Sequence, residues 1–331
     1  PDQFPYNNEI IYQDFAPLIY DSGNYDLSMK KALDMIDYET FVKEAQPALQ
    51  SEGRYVGLGI VAYVEGTGIG PYEGARVQVQ ASGKVTAVTG VGTQGQGHLT
   101  SFAQIVADQL GVDVSDVDIV TGDTDQFYWG AGTFASRGAV VAGNAFNEAA
   151  RDVRAKALKM AVDALEAEEE VVELVDGVAR VQSDHERSIG LGELARRANP
   201  MRGAVKPGTE PGLEATNYFG PERGATANGI HAMIVEVDPE TMLVDIKKYV
   251  VVHDCGEVIN PMILEGQIQG GVAQGIGNAF YEKLMFDESG QLLNASFMDY
   301  LLPTALDVPN IESDEEFKQL NKNFNSMIDM L

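Results

Sequence analysis

The chain has too few thiol and imidazole groups for a disulfide scaffold or a zinc site built by the protein. Its 331 residues include one cysteine, Cys255, and four histidines. One cysteine excludes an internal disulfide, and the histidines do not cluster at metal-ligand spacing. We therefore expect any metal to arrive within a cofactor.

Positive charge is also scarce. The chain has 23 Lys and Arg against 50 Asp and Glu, a formal net charge of -27. Nucleic acids and anionic membranes are bound by clustered positive charge, so neither is expected as a partner. No apolar run approaches the ~20 residues of a membrane span, and the first residues lack the pattern of a signal peptide. A cytoplasmic protein is the resulting prediction.

Alternating and helical patterns together indicate an α+β protein. Residues 76–80 and 84–88 alternate around a Ser-Gly turn, which predicts an antiparallel hairpin. Helical patterns cover 144–168 and 188–198. The length suits more than one domain. The expected organisation is an aromatic arm with helices over 1–54, sheet-plus-helix subdomains over 55–213 and 214–311, and an amphipathic helix over 312–331.

The stretch 260–277 predicts a helix that is unusually rich in glycine. Asn260 before Pro261 is typical of a helix start, and apolar residues then recur every four positions from Leu264 to Phe280. Five glycines inside this helix cost about 5 kcal/mol together relative to alanine. Close approach of another helix or of a large ligand would explain them. The interspersed glutamines favour a ligand, because amides donate and accept without charge.

A second glycine cluster, 90–97, follows a predicted strand and precedes a predicted helix. Gly90, Gly92 and Gly95 match G-x-G-x-x-G, the fingerprint of dinucleotide-binding folds. The preceding strand, however, belongs to a hairpin and carries polar residues, whereas such folds open with a buried parallel strand. A plain nicotinamide-dinucleotide protein therefore remains only an alternative.

A third glycine-rich segment, 129–139, leads into the long helix. Its small residues, the hydroxyls of Thr133 and Ser136, and Arg137 at a helix start are typical of a phosphate or anion site. The alternative is a glycine loop in which Arg137 pairs with a surface acid.

Together these motifs resemble a known family. Order, spacing and content are similar, from about residue 20 to 311, to the second molybdopterin-binding region of the xanthine dehydrogenase and aldehyde oxidase family. The matching segments are 95–100, 132–137, 235–241 and 253–277. The resemblance implies an α+β fold of two mixed-sheet-plus-helix subdomains that bind a molybdenum cofactor.

The resemblance also implies roles for the residues that precede the predicted helix 100–110. The backbone of Gly95 and Gly97 would lie along the cofactor, and Gln96 would hydrogen-bond to it near molybdenum. His98 would donate to it, although a histidine at this position can equally cap or pack.

Further contacts are implied in the other two segments. Thr133, Ser136 and Arg137 would hold the phosphate or dinucleotide end, and Gln274 would contact the pterin. The expected cofactor is molybdopterin cytosine dinucleotide with molybdenum, while 2Fe-2S clusters and FAD would lie on partner subunits.

A free-standing second region of this length is similar to the medium chain of nicotinate dehydrogenases. The resemblance thus implies hydroxylation of nicotinate to 6-hydroxynicotinate, with water as the oxygen source and electrons leaving to NADP. The implied partners are a larger molybdopterin subunit, a 2Fe-2S subunit and an FAD subunit. Alternatives are another hydroxylase of the family, acting on an aldehyde, a purine or CO, or a non-catalytic assembly subunit.

Two positions are less defined. The family's general base is a glutamate in a glycine-rich stretch downstream of 302–311, but Glu312 here begins an acidic tail without glycine. The catalytic residue is therefore unassigned. Tyr12 in the aromatic arm would line a substrate funnel, or would pack as an ordinary core aromatic.

Overall fold

The chain forms two compact units that interleave along the sequence. A computed structural model describes residues 4–12, 15–199 and 210–313. Unit 1 comprises Pro1–Tyr6, Tyr20–Glu65 and Thr226–Leu331, and unit 2 comprises Asn7–Ile19 and Gly66–Ala225. The subdomain ranges expected from the sequence, which are contiguous, stay predictions.

Helices and strands alternate irregularly along the chain. The described helices are α1 (Tyr25–Ile36), α2 (Tyr38–Thr40), α3 (Gln46–Ser51), α4 (His98–Leu110), α5 (Asn144–Leu165), α6 (Leu191–Arg197) and α7 (Pro261–Ile276). The described strands are β1 (Tyr6–Ile11), β2 (Pro17–Tyr20), β3 (Tyr55–Thr67), β4 (Glu73–Val79), β5 (Val85–Thr89), β6 (Val117–Thr121), β7 (Val172–Val175), β8 (Val178–Val181), β9 (Asp184–Gly190), β10 (Glu214–Phe219), β11 (Ala225–Val237), β12 (Val244–Asp254) and β13 (Ile311–Ser313). Segments of π-helix, Phe41–Ala45, Gly138–Gly143 and Gly277–Tyr281, adjoin α3, α5 and α7.

Unit 2 is built on the mixed sheet β10-β4-β5-β6. β4 pairs antiparallel with both β10 and β5, as the hairpin pattern predicts, whereas β5 and β6 are parallel and joined through α4. One parallel crossover thus lies within an otherwise antiparallel sheet. The core joins alternate strand residues such as Val77 and Val85 to Phe102 of α4 and to a row of buried alanines on α5.

A smaller sheet, β7-β8-β9, also belongs to unit 2. The prediction of a helix over 188–198 is wrong at its start, because Ser188 and Ile189 pair with Arg180 and Ala179 of β8. The helix α6 begins only at Leu191. Strand pairing by residues with weak helix propensity moved this boundary by three residues.

Unit 1 is built on the sheet β13-β12-β11-β3, with a helix on each face. Successive residues of β12 point to opposite faces. Val250 and Val252 pack with Ile36 and Ala32 of α1, and Val251 packs with α7. The alternation explains why this strand is apolar at every position from Val250 to Val252.

The end of the described chain has little regular structure. Residues 297–302 form no strand, and a single antiparallel bridge joins Phe286 and Leu292. Glu312 lies in β13, which pairs parallel with β12, and the rest of the predicted helix from 314 lies outside the described residues.

The predicted fold class is confirmed: sheets and helices mix in each unit, as an α+β fold requires. None of the helices in the described part of the chain is long and apolar enough to cross a membrane.

Two leucines on α4 test the assigned core of unit 2. Leu110 is fully buried, whereas Leu99 is 51% exposed. Leu110→Ala should lower the free energy of unfolding by about 2–5 kcal/mol through lost burial and a residual cavity. Leu99→Ala, the matched control, should change it by less than about 1 kcal/mol. Urea unfolding of both variants measures the difference, and equal effects would contradict the assigned core.

Candidate functional site

Two of the glycine-rich segments cross each other in unit 2. The loop 90–97 follows β5, and the loop 129–138 leads to the π-helical segment before α5. A Cβ added to Gly90 would collide with the backbone of Trp129, and one added to Gly130 would collide with the backbone of Gly90. Both glycines are therefore required by the crossing, which places the two predicted cofactor segments side by side.

Side-chain hydrogen bonds tie the crossed loops together. The Thr133 hydroxyl donates to the carbonyl oxygen of Gly92 at 2.5 Å, and Gln94 Nε2 donates to the carbonyl oxygen of Thr133 at 3.4 Å. Gln96 Oε1 accepts from the Gln94 backbone N–H at 2.7 Å. This uses the oxygen end of the Gln96 amide, so its Nε2 is the donor that remains for a ligand.

His98 is the first residue of α4 and packs tightly behind the loops. Its ring stacks on Phe102 with 4.8 Å between centroids, and a Cβ on Gly138 would lie 2.5 Å from its Nε2. The side chain is 7% exposed, and its Nδ1 has no hydrogen-bond partner among the described residues. Burial lowers the pKa of His98, which favours the neutral imidazole.

The outer side of the first loop is open. A Cβ added at Gly92 or Gly95 would meet nothing within 4 Å, and Gly95 and Gly97 have φ values of 99° and 77°. Left-handed backbone of this kind exposes N–H groups that can line an anion. Buried polar atoms are normally paired, so the unpartnered Nδ1 of His98 and this bare backbone fit a polar ligand.

The second loop carries consecutive residues in a costly conformation. Ala135 and Ser136 have φ values of 49° and 48°, which is uncommon for residues with a side chain. Ser136 is exposed, and its carbonyl oxygen accepts from the Gly68 N–H at 3.3 Å. Such strain persists only where surrounding contacts fix it, and it is typical of ligand-binding loops.

Arg137 has a different environment from the one predicted. Its side chain is fully buried and forms an ion pair with Glu73. It also donates to the carbonyl oxygens of Ile69 at 3.0 Å, Gly132 at 2.9 Å and Pro71. Four of its five N–H bonds are therefore used inside unit 2. The alternative of an Arg137–acid pair is the one observed, although the acid is buried.

Glu73 is the site residue that sequence analysis missed. It opens β4, is itself 0% exposed, and accepts hydrogen bonds from the second loop as well as from Arg137. The available signal was an acid beginning the buried, alternating strand 73–79. Because the sequence does not show its partner Arg137, Glu73 cannot be distinguished from an ordinary acidic residue at the start of a strand.

The helix predicted from Asn260 is confirmed as α7, in unit 1. The Asn260 side chain accepts from the Ile263 N–H at 3.0 Å, and Val272 and Ile276 are buried against β12. A Cβ added to any of four glycines of α7 would meet nothing within 4 Å; these are Gly266, Gly270, Gly271 and Gly275. They therefore serve no packing among the described residues, and Gln274 is exposed beside them.

The Tyr12 ring packs against the backbone at Gly66. A Cβ on Gly66 would be 2.8 Å from the Tyr12 ring, and the Tyr12 N–H donates to the carbonyl oxygen of Ala16 at 2.9 Å. These contacts support the packing alternative, and the substrate role stays a prediction.

Unit 1 holds a second polar cluster, on its sheet. Tyr63 Oη and His253 Nδ1 are 2.8 Å apart, and Tyr249 Oη and His231 Nδ1 are 3.0 Å apart. Burial lowers the pKa of both histidines. Each imidazole thus has a phenol partner, and no group of three or more metal-binding side chains occurs in the described ranges.

A groove of about 780 Å³ also lies on unit 1, lined in part by Tyr55, Phe280 and Leu306. At its floor Glu236 pairs with Arg54 and Lys247, and hydrogen bonds from both lower the pKa of Glu236 to about 2. The predicted site residues do not line this groove. Arg54, Glu236 and Lys247 thus satisfy one another, and none of them is a predicted site residue.

The buried imidazoles predict a pH dependence of stability. The pKa values of His98, His231 and His253 are lowered in the folded state, whereas a histidine in the unfolded chain has its ordinary pKa of about 6.5. Below that pH the unfolded chain therefore binds more protons than the folded chain. The free energy of unfolding should keep its full value above that pH and decrease towards pH 5.5. His98→Gln should reduce this decrease, and His185→Gln, at an exposed position, should not. Urea unfolding at pH 7.5 and 5.5 measures both, and indistinguishable variants would contradict the prediction.

Comparison with known proteins agrees with this geometry. The family described as "Molybdopterin cofactor-binding domain" matches residues 31–309. The chain is 36% identical over 314 residues to the nicotine 6-hydroxylase large subunit of Paenarthrobacter nicotinovorans, covering 91% of this chain and 38% of that protein. It is 36% identical to the carbon monoxide dehydrogenase large chain of Afipia carboxidovorans, covering 95% and 40%.

A solved structure shows the same fold. The quinoline 2-oxidoreductase of Pseudomonas putida 86 superposes with a TM-score of 0.85 at 36% identity, covering 95% of this chain and 40% of that one. The chain thus spans about two fifths of the length of these proteins. The family match covers most of the chain and includes the crossed loops and α7, and on that basis the chain belongs to the xanthine dehydrogenase family, as one of its molybdopterin cofactor-binding regions.

Proposed function

We propose that this chain is the molybdopterin-binding part of a molybdenum hydroxylase. The observations that carry the proposal are the open glycine backbone of the first loop and the unpartnered Nδ1 of His98, the buried residue that directly follows this loop. A ligand that accepts or donates at that atom and lies flat on the Gly95 backbone satisfies both features. A polar, extended cofactor has this shape, and an apolar core contact does not.

The first loop would hold the end of the cofactor nearest the metal. Gly95 and Gly97 would approach through their backbone, and Gln96 would donate through Nε2, because its oxygen is already bonded to Gln94. His98, being neutral, has one ring nitrogen that accepts and one that donates. When bound, the molybdenum cofactor supplies the oxidative hydroxylation chemistry, and these residues bind and orient it.

The second loop would hold the phosphate or dinucleotide end. Ser136 is exposed in its left-handed backbone, and the Thr133 hydroxyl, which donates to Gly92, can still accept. The proposed cofactor form is the cytosine dinucleotide, whose phosphates these two hydroxyls would contact. For Gln274 the proposed pterin contact rests on α7 alone, where the amide is exposed beside the open glycines.

The proposed substrate class is a nitrogen heteroaromatic acid, with nicotinate converted to 6-hydroxynicotinate. Two of the similar proteins bear names of heteroaromatic-ring enzymes, nicotine 6-hydroxylase and quinoline 2-oxidoreductase. Such rings have electron-poor carbons, which suits hydroxylation with water as the oxygen source. The similarity to a carbon monoxide dehydrogenase chain supports the second candidate, another hydroxylase of the family. A panel of nicotinate, an aldehyde, a purine and CO separates the two.

Further chains belong to the proposal, because this one spans about two fifths of its relatives. We propose a larger molybdopterin subunit, a 2Fe-2S subunit and an FAD subunit that passes electrons to NADP. No described residue of this chain is assigned as the general base. A purely assembling role predicts that replacing Gln96 leaves turnover unchanged, which separates it from the catalytic proposal.

Metal and pterin analysis tests the proposal directly. The complex purified with this chain should contain molybdenum and a pterin cytosine dinucleotide, each at about one per chain, because one set of crossed loops binds one cofactor. Inductively coupled plasma mass spectrometry and nucleotide release by mild acid measure them. A complex with neither, from cells supplied with molybdate, would refute the function.

The open glycines of α7 give a second test. Gly271→Val or Gly275→Val should leave folding unharmed, because the added side chain meets nothing and valine has a helix propensity no worse than that of glycine. Bound molybdenum should nevertheless fall to background. Glu265→Ala on the same helix is the control and should keep wild-type molybdenum. Full molybdenum in the valine variants, with unchanged thermal unfolding, would remove α7 from the proposed site.

A further inference from the structure

We propose that Glu73 and Arg137 are positioning residues for the cofactor: their buried ion pair holds the loop 129–138 in its binding conformation without touching the ligand. This inference rests on the proposed function for the identity of the ligand. The sequence context of Arg137 suggests a phosphate contact, whereas the inference gives it a positioning role. Glu73, which has no predicted role, shares that positioning role.

The pair is isolated from solvent. The side chains of Arg137 and Glu73 are 0% and 1% exposed. Arg137 lies at the start of the π-helical segment, with its guanidinium carbon 4.9 Å from the centre of the Phe134 ring. A guanidinium enclosed in this way cannot reach a ligand outside the loop. Its charge acts on the loop itself.

Glu73 occupies the backbone donors that an anion would otherwise use. Its carboxylate accepts from the Ala131 N–H at 3.1 and 3.3 Å and from the Gly132 N–H at 3.2 Å, in addition to Arg137. Two adjacent N–H groups beside a guanidinium are a typical anion site. Here the anion is internal, so this part of the loop has no vacancy for a cofactor phosphate.

The same contacts close the loop on itself. Arg137 donates to the carbonyl oxygen of Gly132, while Glu73 holds the Gly132 N–H, so both ends of the segment 132–137 are fixed. The left-handed residues Ala135 and Ser136 lie between these ends. Without the ion pair, the Thr133–Gly92 and Gly68–Ser136 hydrogen bonds would hold the strained segment with its two ends released. The pair therefore sets where Ser136 and Thr133 are presented.

Charge, rather than shape, is the property to test. Glu73→Gln keeps the size of the side chain, but leaves the guanidinium buried without a counter-charge, which strongly disfavours the closed loop. Arg137→Lys keeps the charge and loses the fork that reaches three carbonyl oxygens and the carboxylate. Val153→Ala is the control, because Val153 is a fully buried core residue of α5 whose truncation destabilises unit 2 generally.

The experiment uses the full chain with whatever subunits co-purify. In cofactor-free protein, hydrogen exchange of amides 129–138 should be faster by about tenfold or more in Glu73→Gln, with the amides of α4 unchanged. In cofactor-loaded protein, molybdenum retained after dilution should fall by about tenfold or more. Val153→Ala should change neither loop exchange nor retention. If Glu73→Gln does not fold, Arg137→Lys should show the same pattern to a smaller degree.

The outcomes separate this inference from the proposed function. Wild-type protein without molybdenum would refute the function, and loop exchange would still decide the role of the ion pair. Wild-type exchange at 129–138 in both Glu73→Gln and Arg137→Lys would overturn the inference. Loss of molybdenum from Val153→Ala equal to that from Glu73→Gln would also overturn it, because the loss would then follow general stability.

Discussion

The crossing of two backbone segments at Gly90 and Gly130 is the constraint on which the candidate site depends. Neither glycine can carry a side chain, since a Cβ on either would occupy the backbone of the other segment. The crossing brings the loop after β5 against the loop before α5. The Thr133–Gly92 hydrogen bond joins the same two loops, and His98 packs under Gly138 at the end of the second loop. A close contact between main chains is thus what turns two separate sequence motifs into one surface.

The hydrogen bonding of buried polar groups divides this surface into two sides. On the structural side these groups are bonded within the protein, and on the binding side they are not. On the structural side, Arg137 and Glu73 use nearly all of their hydrogen-bonding capacity on one another and on loop backbone. On the binding side, His98 Nδ1 lacks a partner and the backbone at Gly95 is bare. Because buried polar groups are normally paired, this contrast says more about where a ligand lies than the list of glycines does. It also explains how one surface can hold an internally filled anion site on the second loop and open backbone for a ligand on the first loop.

Much of the fold was predictable because its signals are local. The Asn260-Pro261 start of α7, the β4–β5 hairpin and the helical pattern of α5 each depend on neighbours within a few residues. The glycine motifs also identified the family. What could not be predicted depends on distant partners. Glu73 and Arg137 are 64 positions apart in the sequence, so no local pattern indicates their ion pair. The pairing of β9 with β8 likewise displaced the start of α6.

Helix α7 shows how stability and binding can make opposite demands on one element. Four of its glycines face open space, so alanine at each would fit and would raise the intrinsic stability of the helix by about 1 kcal/mol. A selection for heat resistance alone would therefore accumulate alanines along this side, and a selection for cofactor retention would remove them. Under the proposed function, this helix is the first place where a thermostabilised version of the protein should lose activity, and its glycine content is a direct measure of how far binding has been favoured over rigidity.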